Sequence, residues 1–342
     1  MAENVLLRHL EVEDIHKLDV YLAHDGYSGA RSAITAMKPD EVTTMVKESN
    51  LRGRGGAGFP AGVKWGFLPK DSDKPIYLCC NADESEPGTF KDRAIIEKNT
   101  HTLLEGMIIT SYAIGAHIAY IYIRGEFAYG ARCLEQALRD AYDRGYVGKN
   151  IFGSDFYLDI YVHRGAGAYI CGEETGLIQS IEGKRAYPRI KPPFPAVYGL
   201  FGCPTIVNNV ETLACVPSII KNGPAWFKSI GPESGPGPKI YGASGHVEKP
   251  GMFELPMGMP LREVIYEYAG GVKNGKELKA VMPAGSSFPV LTPDEIDVHM
   301  DFDSMRAIGA FLGTAGIIVM DEDTCMVQAL QIIDRFYHHE SC

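Results

Sequence analysis

The sequence predicts an α/β fold with a parallel sheet, followed across a linker by a smaller β-grasp-like module. Residues 76–225 alternate short apolar runs with helical patterns, which is typical of a parallel sheet covered by helices. Residues 231–238 are rich in glycine and proline and mark a module boundary. Beyond them, two strands, a helix and a third strand are predicted within about fifty residues.

Each element of the larger module is predicted from its apolar spacing and its flanking residues. In chain order these are a helix at 39–50, a strand at 76–80, a helix at 97–115, a strand at 117–123, a helix at 128–145, a strand at 156–163, a helix at 177–181 and a helix around 210–217.

The second module begins with strands at 239–244 and 251–255, which form a hairpin turning at 248–251. A helix at 261–268, a strand at 278–283 and a helical tail at 326–337 follow. We therefore divide the chain into a helical segment (1–50), an α/β domain (51–230), a β-grasp-like domain (239–295) and a last segment (300–342).

Composition excludes several classes of protein. The 33 basic and 43 acidic residues give a net charge of -10, which argues against a general nucleic-acid binder. Residues 1–20 mix charges and do not resemble a signal peptide, and the apolar stretch 107–123 is too short and polar to cross a bilayer. The eight cysteines form no C-x-x-C pair, so neither a zinc knuckle nor a disulfide framework is indicated.

A glycine-rich loop at residues 53–65 is the first candidate for a binding site. Gly53, Gly55 and Gly58 satisfy G-x-G-x-x-G, but the loop follows a predicted helix, whereas the dinucleotide fingerprint follows a strand. Its backbone N–H groups and the charge of Lys64 suit a phosphate or a nucleotide ring. A nucleotide loop of unusual construction and a structural glycine turn both remain open.

Two polar loops follow predicted strands, where parallel sheets place their ligands. In the first, Asn81, Asp83, Glu84 and Glu86 offer acceptors for ribityl or ribose hydroxyls; the alternative is a solvated acidic turn. A metal site is disfavoured there, because no histidine lies close in sequence.

The second loop pairs Tyr169 with Gly172, Glu173 and Glu174 ahead of a helix. These carboxylates suit hydroxyl or base contacts, or they complement the dipole at the helix start.

Aromatic and proline residues complete the set of candidates. Prolines hold Lys191 and Phe194 in a stiff segment, and Phe59 and Phe67 flank the glycine loop. Their rings offer faces for adenine, although any one of these phenylalanines, taken alone, is more often a core residue. Of the asparagines at 208–209, one is also explained as a helix N-cap.

Four long motifs occur together: GRGGAGFPAGVKWGF, CNADESEPGTFKDR, GAGAYICGEETGLIQSIEGKRAYPRIKPPFPA and TIVNNVET. With them the chain resembles, over essentially its whole length, the NADH-binding flavoprotein subunit of respiratory complex I, the F subunit of bacterial NADH-quinone oxidoreductase. The resemblance implies a Rossmann-like FMN/NADH domain, a β-grasp domain of the soluble-ligand-binding type and the start of a helical iron–sulfur domain.

The resemblance also implies one deep cavity that holds FMN, with NADH stacking over the flavin. Carried over by position, the flavin-binding residues are Gly53, Arg54, Gly55, Gly56, Lys64, Asn81, Asp83, Tyr169, Gly172, Glu173, Asn208 and Asn209. The expected NADH contacts are Phe59, Lys64, Phe67, Glu84, Glu86, Glu174, Lys191 and Phe194. Hydride transfer needs no protein acid or base, so no catalytic residue is assigned.

Within this set, the resemblance assigns adenine to Phe67 and Phe194 and the adenosine ribose to Glu174 and Glu86. A carboxylate at that ribose disfavours the extra phosphate of NADPH by like-charge repulsion.

Members of this family ligate a [4Fe–4S] cluster through a run S-C-G-x-C-x-x-C and a later cysteine. Here Ser341-Cys342 begins that run, so Cys342 is the first expected ligand, and the others are absent. Either the chain is truncated or the protein has lost its electron exit, and a stop at the first ligand favours truncation. The resemblance implies partners in the peripheral arm, namely a thioredoxin-like [2Fe–2S] subunit and a large iron–sulfur subunit. It implies no nucleic acid, no direct membrane insertion, and a cytoplasmic position on the inner face of the membrane.

Two other functions remain open on the sequence alone. The diaphorase subunit of an NAD-reducing hydrogenase or formate dehydrogenase shares all four motifs; the absence of a fused thioredoxin-like domain favours complex I. A non-enzymatic binding or scaffold module that uses the β-grasp domain is the alternative of another class.

Overall fold

A computed structural model describes residues 4–342, so residues 1–3 of the predicted segment 1–50 lie outside the described part. The strands are β1 (Tyr77–Ala82), β2 (Ile118–Ile123), β3 (Asp159–Arg164), β4 (Thr205–Asn209), β5 (Pro238–Gly245), β6 (Gly251–Pro256), β7 (Leu278–Met282) and β8 (Gly316–Asp321). The α-helices are α1 (Leu18–Ala23), α2 (Ser28–Ala36), α3 (Pro39–Glu48), α4 (Ala61–Trp65), α5 (Lys91–Lys98), α6 (Thr100–Ile114), α7 (Ala128–Asp143), α8 (Glu174–Ile181), α9 (Val210–Asn222), α10 (Pro224–Lys228), α11 (Leu261–Glu263), α12 (Phe302–Ala307) and α13 (Met326–Glu340).

The first sheet is parallel, as predicted, with the strand order β3-β2-β1-β4. Alternate side chains of β1 point to opposite faces: Leu78 joins the core with α6 and α9, and Cys79 packs with α8. In the register of β1 and β4, Asn81 is the partner of Asn209. The polar ends of two strands from distant parts of the sequence therefore meet at one edge of the sheet.

The helix predicted over 97–115 is divided into α5 and α6 by Asn99, whose backbone is not helical (φ -132°, ψ 43°). The Asn99 amide donates to the carbonyl of Leu6 at 3.0 Å, and its oxygen accepts from the Thr102 hydroxyl at 2.8 Å. These two hydrogen bonds stabilise a turn at Asn99, which the spacing of apolar residues does not reveal.

The second sheet has the order β6-β5-β8-β7. The predicted hairpin of β5 and β6 is present, and β5 pairs in parallel with β8 at the centre, as expected of a β-grasp-like module. The sequence prediction placed residues 316–321 in the segment 300–342, whereas the structure pairs them with this sheet. The helix predicted at 261–268 is α11 continued by one π-helical turn, Val264–Tyr268.

Helix α13 lies against the second sheet through Ala329 and Ile333, while Val327, Leu330 and Ile332 are exposed. Across residues 4–342, every helix is too short or too polar to cross a membrane.

The two modules are joined by a buried group of charges centred on Glu211, in the first turn of α9. Its carboxylate accepts from Lys239 Nζ of β5 at 2.7 Å and from the Ile240 N–H at 2.9 Å, and it pairs with Lys91 Nζ of α5 at 2.8 Å. Burial alone raises the pKa of Glu211, but the ammonium groups of Lys239 and Lys91 outweigh it and lower the pKa to about 2. Glu211 is therefore a fixed negative charge between the modules.

We expect Glu211→Gln to destabilise the protein by about 3 to 5 kcal/mol at neutral pH, because it leaves two buried ammonium groups without their shared partner. The native pKa of Glu211 lies below the ordinary value of 4.5, so this stabilisation is complete above pH 4.5 and is lost as the pH falls towards 2. Urea unfolding at several pH values measures the difference, with the exposed Glu267→Gln as control. A Glu211→Gln protein with unchanged stability at pH 7 would show that the charge is not needed.

Candidate functional site

A cavity of about 590 Å³ lies between the carboxyl ends of the first sheet and the second module. Sequence-predicted site residues that line it are Gly55, Gly56, Asn81, Asp83, Glu84, Glu86, Tyr169, Gly172, Glu173 and Asn209. The glycine loop and both polar loops thus meet at one site, although they lie far apart in sequence.

The glycine loop forms one wall of the cavity through Gly55 and Gly56. A Cβ on Gly55 would lie 3.0 Å from Cβ of Asn209, and Gly56 has a φ of +130°, which favours glycine. Within the described residues, no atom lies within 4 Å of the place where a Cβ of Gly56 would be. The loop therefore presents bare backbone to open space, as a ligand-binding loop must.

Arg54 and Gly53 lie behind this wall, away from the cavity lining. The buried Arg54 guanidinium donates to the carbonyls of Pro236 at 2.7 Å and Arg52 at 3.1 Å. Its Nε has no hydrogen-bond partner among residues 4–342. In this structure Arg54 ties the loop to the linker between the modules, a role that the sequence did not suggest.

In the acidic loop after β1, Asp83 and Glu84 are buried and Asn81 and Glu86 are half-buried, which contradicts the alternative of a solvated turn. Asn81 donates to the carbonyl of Gly172 at 2.9 Å and accepts from the Asp83 N–H at 3.1 Å. Burial raises the pKa of Asp83 to about 6, although the Ser85 hydroxyl at 2.7 Å favours its charged form. Asp83 is therefore an acceptor at the cavity wall whose charge a ligand donor would stabilise.

Glu84 caps helix α5. Its two carboxylate oxygens accept from the N–H groups of Asp92 at 2.8 Å and Arg93 at 2.9 Å. Burial and the neighbouring Asp92 carboxylate raise the pKa of Glu84 to about 7. Glu84 lines the cavity as predicted, but its hydrogen bonds serve the helix first.

Glu173 and Glu174, after β3, form an alternating group of charges with Lys64 of α4 and with Lys191 of the proline-rich segment. Lys64 Nζ lies 2.8 Å from Glu174 Oε2, and Lys191 Nζ lies 2.8 Å from Glu174 Oε1 and 2.9 Å from Glu173 Oε1. Burial raises the pKa of Glu174, but the two ammonium groups outweigh it and lower the pKa. Two carboxylates and two ammonium groups balance, so this group carries no net charge. Glu173 lines the cavity, whereas Lys64, Glu174 and Lys191 lie outside its lining.

Helix α8 begins at Glu174, earlier than predicted, because the side chain of Glu173 accepts from the N–H groups of Thr175 and Gly176. Glu173 is thus the N-cap residue of α8, in keeping with the alternative that the carboxylates of this loop serve the helix start, and it also lines the cavity.

The three candidate aromatic residues lie outside the cavity lining and are exposed. The rings of Phe59 and Phe67 lie 5.8 Å apart, on either side of Lys64 in the sequence. Phe194 exposes 57% of its surface, and Lys191 precedes it in the same segment. Exposed phenylalanine rings beside a charged group are unusual for core residues, so the core interpretation does not apply to them.

Asn208 and Asn209 have different surroundings. Asn208 accepts from the Trp65 indole at 2.9 Å and is buried. Asn209 caps α9 through the Glu211 N–H at 3.0 Å and donates to Asp92 at 2.6 Å, while it also lines the cavity. The N-cap alternative is correct for Asn209.

Several lining residues were missed by sequence reasoning. Lys91 and Asp92 stand at the end of the quoted motif CNADESEPGTFKDR but were not singled out. The second module adds residues that no sequence motif marks, namely Ser287, Phe288, Phe302, Arg306, Phe311, Leu312 and Thr314.

Cys342 is exposed and forms no disulfide at the end of α13. In the part of the chain that the structure describes, no three His, Cys, Asp or Glu side chains are placed to hold a metal ion.

Comparisons with known proteins point to one group of relatives. A family profile described as the Nuo51 FMN-binding domain matches residues 46–218, and an SLBB domain profile matches residues 239–319. The F subunit 2 of NADH-quinone oxidoreductase from Rhizobium meliloti (strain 1021) is 57% identical over 342 residues, 100% of this chain and 81% of that protein. The F subunit of the same enzyme in Mycobacterium tuberculosis (strain ATCC 25618 / H37Rv) is 51% identical over 99% of this chain and 77% of its own length.

A solved structure of an NAD+-reducing [NiFe]-hydrogenase in the H2-reduced state is also similar. It superposes with a TM-score of 0.84 at 38% identity, over 96% of this chain. This chain spans 55% of the length of that hydrogenase chain.

We expect Asp83→Asn to stabilise the ligand-free protein at pH 8. Burial raises the pKa of Asp83 above its ordinary value of 3.8, so its ionisation costs stability increasingly as the pH rises through about 6. Thermal unfolding should therefore show a higher midpoint for Asp83→Asn at pH 8 and a small difference near pH 4. The exposed Asp73→Asn is the matched control; an equal shift at both pH values would exclude ionisation of Asp83 as the cause.

Proposed function

The chain belongs to the family formed by the F subunit of NADH-quinone oxidoreductase, and from that premise we propose that it binds FMN and accepts hydride from NADH onto the flavin. The observation that carries the proposal is the cavity at the carboxyl ends of β1 and β4, which the glycine loop and both polar loops enclose. The strand order of the parallel sheet reverses between β1 and β4, and parallel sheets bind their ligands at the point of such a reversal.

The cavity fits FMN in size and in chemistry. Its volume of about 590 Å³ lies in the range of about 300 to 1,000 Å³ that cofactor sites occupy. The open space at Gly56 leaves room for a ring or a phosphate beside the loop. The cavity combines acceptors on Asn81 and Asp83, which suit ribityl hydroxyls or a ring N–H, with a buried ammonium group on Lys91.

When bound, FMN supplies the conversion from a two-electron hydride acceptor to a one-electron donor. The residues of the chain bind and orient: Gly55 and Gly56 allow close approach, and the carboxylate of Asp83 accepts from the ligand. Residues of the second module form the opposite wall of the cavity and hold the ligand against the first module.

We assign the dinucleotide arm to the balanced charges of Lys64, Lys191, Glu173 and Glu174, with adenine against the exposed rings of Phe67 and Phe194. The ammonium groups neutralise the carboxylates of this arm. The carboxylates therefore repel the extra phosphate of NADPH less strongly than the sequence alone implies. Discrimination between NADH and NADPH at this arm then depends on the carboxylate oxygens of Glu174, which already accept hydrogen bonds from Lys64 and Lys191.

Domain assignments follow the same premise. We assign the flavin and NADH to residues 51–230 and a covering role to the β-grasp-like module that begins at residue 239.

Cys342 is assigned as one cluster ligand, and alone it cannot hold a [4Fe–4S] cluster. We propose the thioredoxin-like [2Fe–2S] subunit and the large iron–sulfur subunit as partners, at the inner face of the membrane.

The second candidate is a diaphorase subunit of an NAD-reducing hydrogenase or formate dehydrogenase. The hydrogenase superposition at a TM-score of 0.84 favours it. Its 38% identity is lower than the 57% and 51% of the two NADH-quinone oxidoreductase relatives, which favour the first proposal.

The proposal is tested by loading the purified chain with FMN and recording its absorbance spectrum. We expect a bound-flavin absorbance spectrum that survives dialysis, and bleaching of that spectrum under anaerobic conditions when NADH is added. A chain that retains no flavin, or whose bound flavin is not bleached by NADH, would refute the proposal and favour a scaffold module.

We expect Lys64→Ala to weaken both flavin retention and NADH–ferricyanide activity, because it leaves Glu174 with one of its two ammonium partners and removes the bond to the Val207 carbonyl. Flavin per chain after dialysis and the steady-state rate measure the two effects. Lys70→Ala, on the exposed surface, is the control. Values equal to those of the unmodified chain would remove Lys64 from the site.

A further inference from the structure

The second module reaches the carboxylate of Glu86, in the loop after β1, through Ser287. The N–H of Ser287 donates to Glu86 Oε1 at 2.9 Å. The Ser287 hydroxyl oxygen lies 2.9 Å from Oε1 and 2.7 Å from Oε2. Both residues line the cavity, so this contact between modules is also part of the proposed binding site.

Tyr169 completes the cluster from a third element, the loop after β3. Its hydroxyl donates to Glu86, and its oxygen lies 3.0 Å from the hydroxyl oxygen of Ser287. Burial and the Glu86 carboxylate raise the pKa of Tyr169, so the hydroxyl keeps its proton as a donor. We call Glu86, Tyr169 and Ser287 the interface triad.

The backbone next to Ser287 leaves room for the side chain of Glu86, because the residue there is a glycine. Gly285 has a φ of +98°, and a Cβ there would lie 2.5 Å from Cγ of Glu86. On the same side of the cavity, the hydroxyls of Thr89 and Thr314 lie 2.6 Å apart across the modules. The approach of the two loops is therefore close and specific.

The triad leaves the carboxylate able to accept a further hydrogen bond. The Ser287 hydroxyl has one proton, so it satisfies one carboxylate oxygen at a time although it lies near both. A carboxylate offers about four acceptor positions, and the triad fills three of them. The Ser286 hydroxyl lies 3.3 Å from Oε1, the longest of these contacts, so it is the donor that a ligand hydroxyl would displace.

We propose that Ser287 is a positioning residue for dinucleotide binding: from the second module, it fixes the Glu86 carboxylate in the orientation that meets the NAD(H) ligand. The inference rests on the proposed function, because it assumes that NAD(H) enters this cavity. It assigns to the second module a share in substrate affinity, beyond covering the site.

A double-mutant cycle tests this role in the FMN-loaded full chain, with NAD+ binding measured by calorimetry and flavin content by absorbance. We expect Ser287→Ala to weaken NAD+ binding about threefold to tenfold, because the Glu86 carboxylate keeps its bonds to Tyr169 and to the Ser287 N–H and loses the hydroxyl that fixes its orientation. Flavin content is measured on the same samples, and NAD+ affinity is referred to chains that carry flavin. Ser287→Thr keeps a hydroxyl and should restore most of the affinity.

In the Glu86→Gln background, Ser287→Ala should weaken binding no further, because the group that it positions is already altered. Ser244→Ala is the matched control: it removes a serine hydroxyl that donates to the Ile317 carbonyl in the same module, away from Glu86. Ser287 is exposed, so its truncation leaves the core intact.

Two results would overturn the inference: unchanged NAD+ affinity in Ser287→Ala, or equal losses in the presence and absence of the Glu86 carboxylate. Both are distinct from failure of the proposed function, in which the unmodified chain itself would bind neither FMN nor NAD+.

Discussion

The buried charges around Glu211 are the constraint on which the rest of the structure depends. One carboxylate faces Lys91 from the first module and Lys239 from the second, and all three side chains are buried. Buried charges tolerate little change in geometry, because each depends on its partner for the stabilisation that water would give. Since Lys91 also lines the cavity, the distance between the modules and the shape of the site are set together.

The sequence predicted those parts of the fold that local spacing controls. The parallel sheet and the hairpin of β5 and β6 could be predicted because the spacing of apolar residues within each short segment indicates its strands and helices. Strand β4 was missed, since its five residues end in two asparagines whose partners lie on β1 and α5. The break at Asn99 was missed for a similar reason, because a carbonyl ninety-three residues away in sequence accepts its amide.

The same distinction applies to the candidate site. Motif residues such as Gly55, Asn81 and Tyr169 could be found because they cluster in short runs of unusual composition. Ser287 could not, because its importance comes from a carboxylate 201 residues away rather than from its neighbours. Arg54 shows the converse: it stands in a motif, yet it lies behind the loop and ties it to the linker.

The close approach at Gly285 has a consequence for how this protein could have been assembled in evolution. A β-grasp module with any side chain at that position would have to displace the Glu86 side chain from its bonds to Ser287 and Tyr169, so the module is not an interchangeable cover. Recombination that brought in a new second module would have to bring a matching loop after β1 with it. The two halves are therefore expected to be inherited as one unit, although each has its own sheet and its own core.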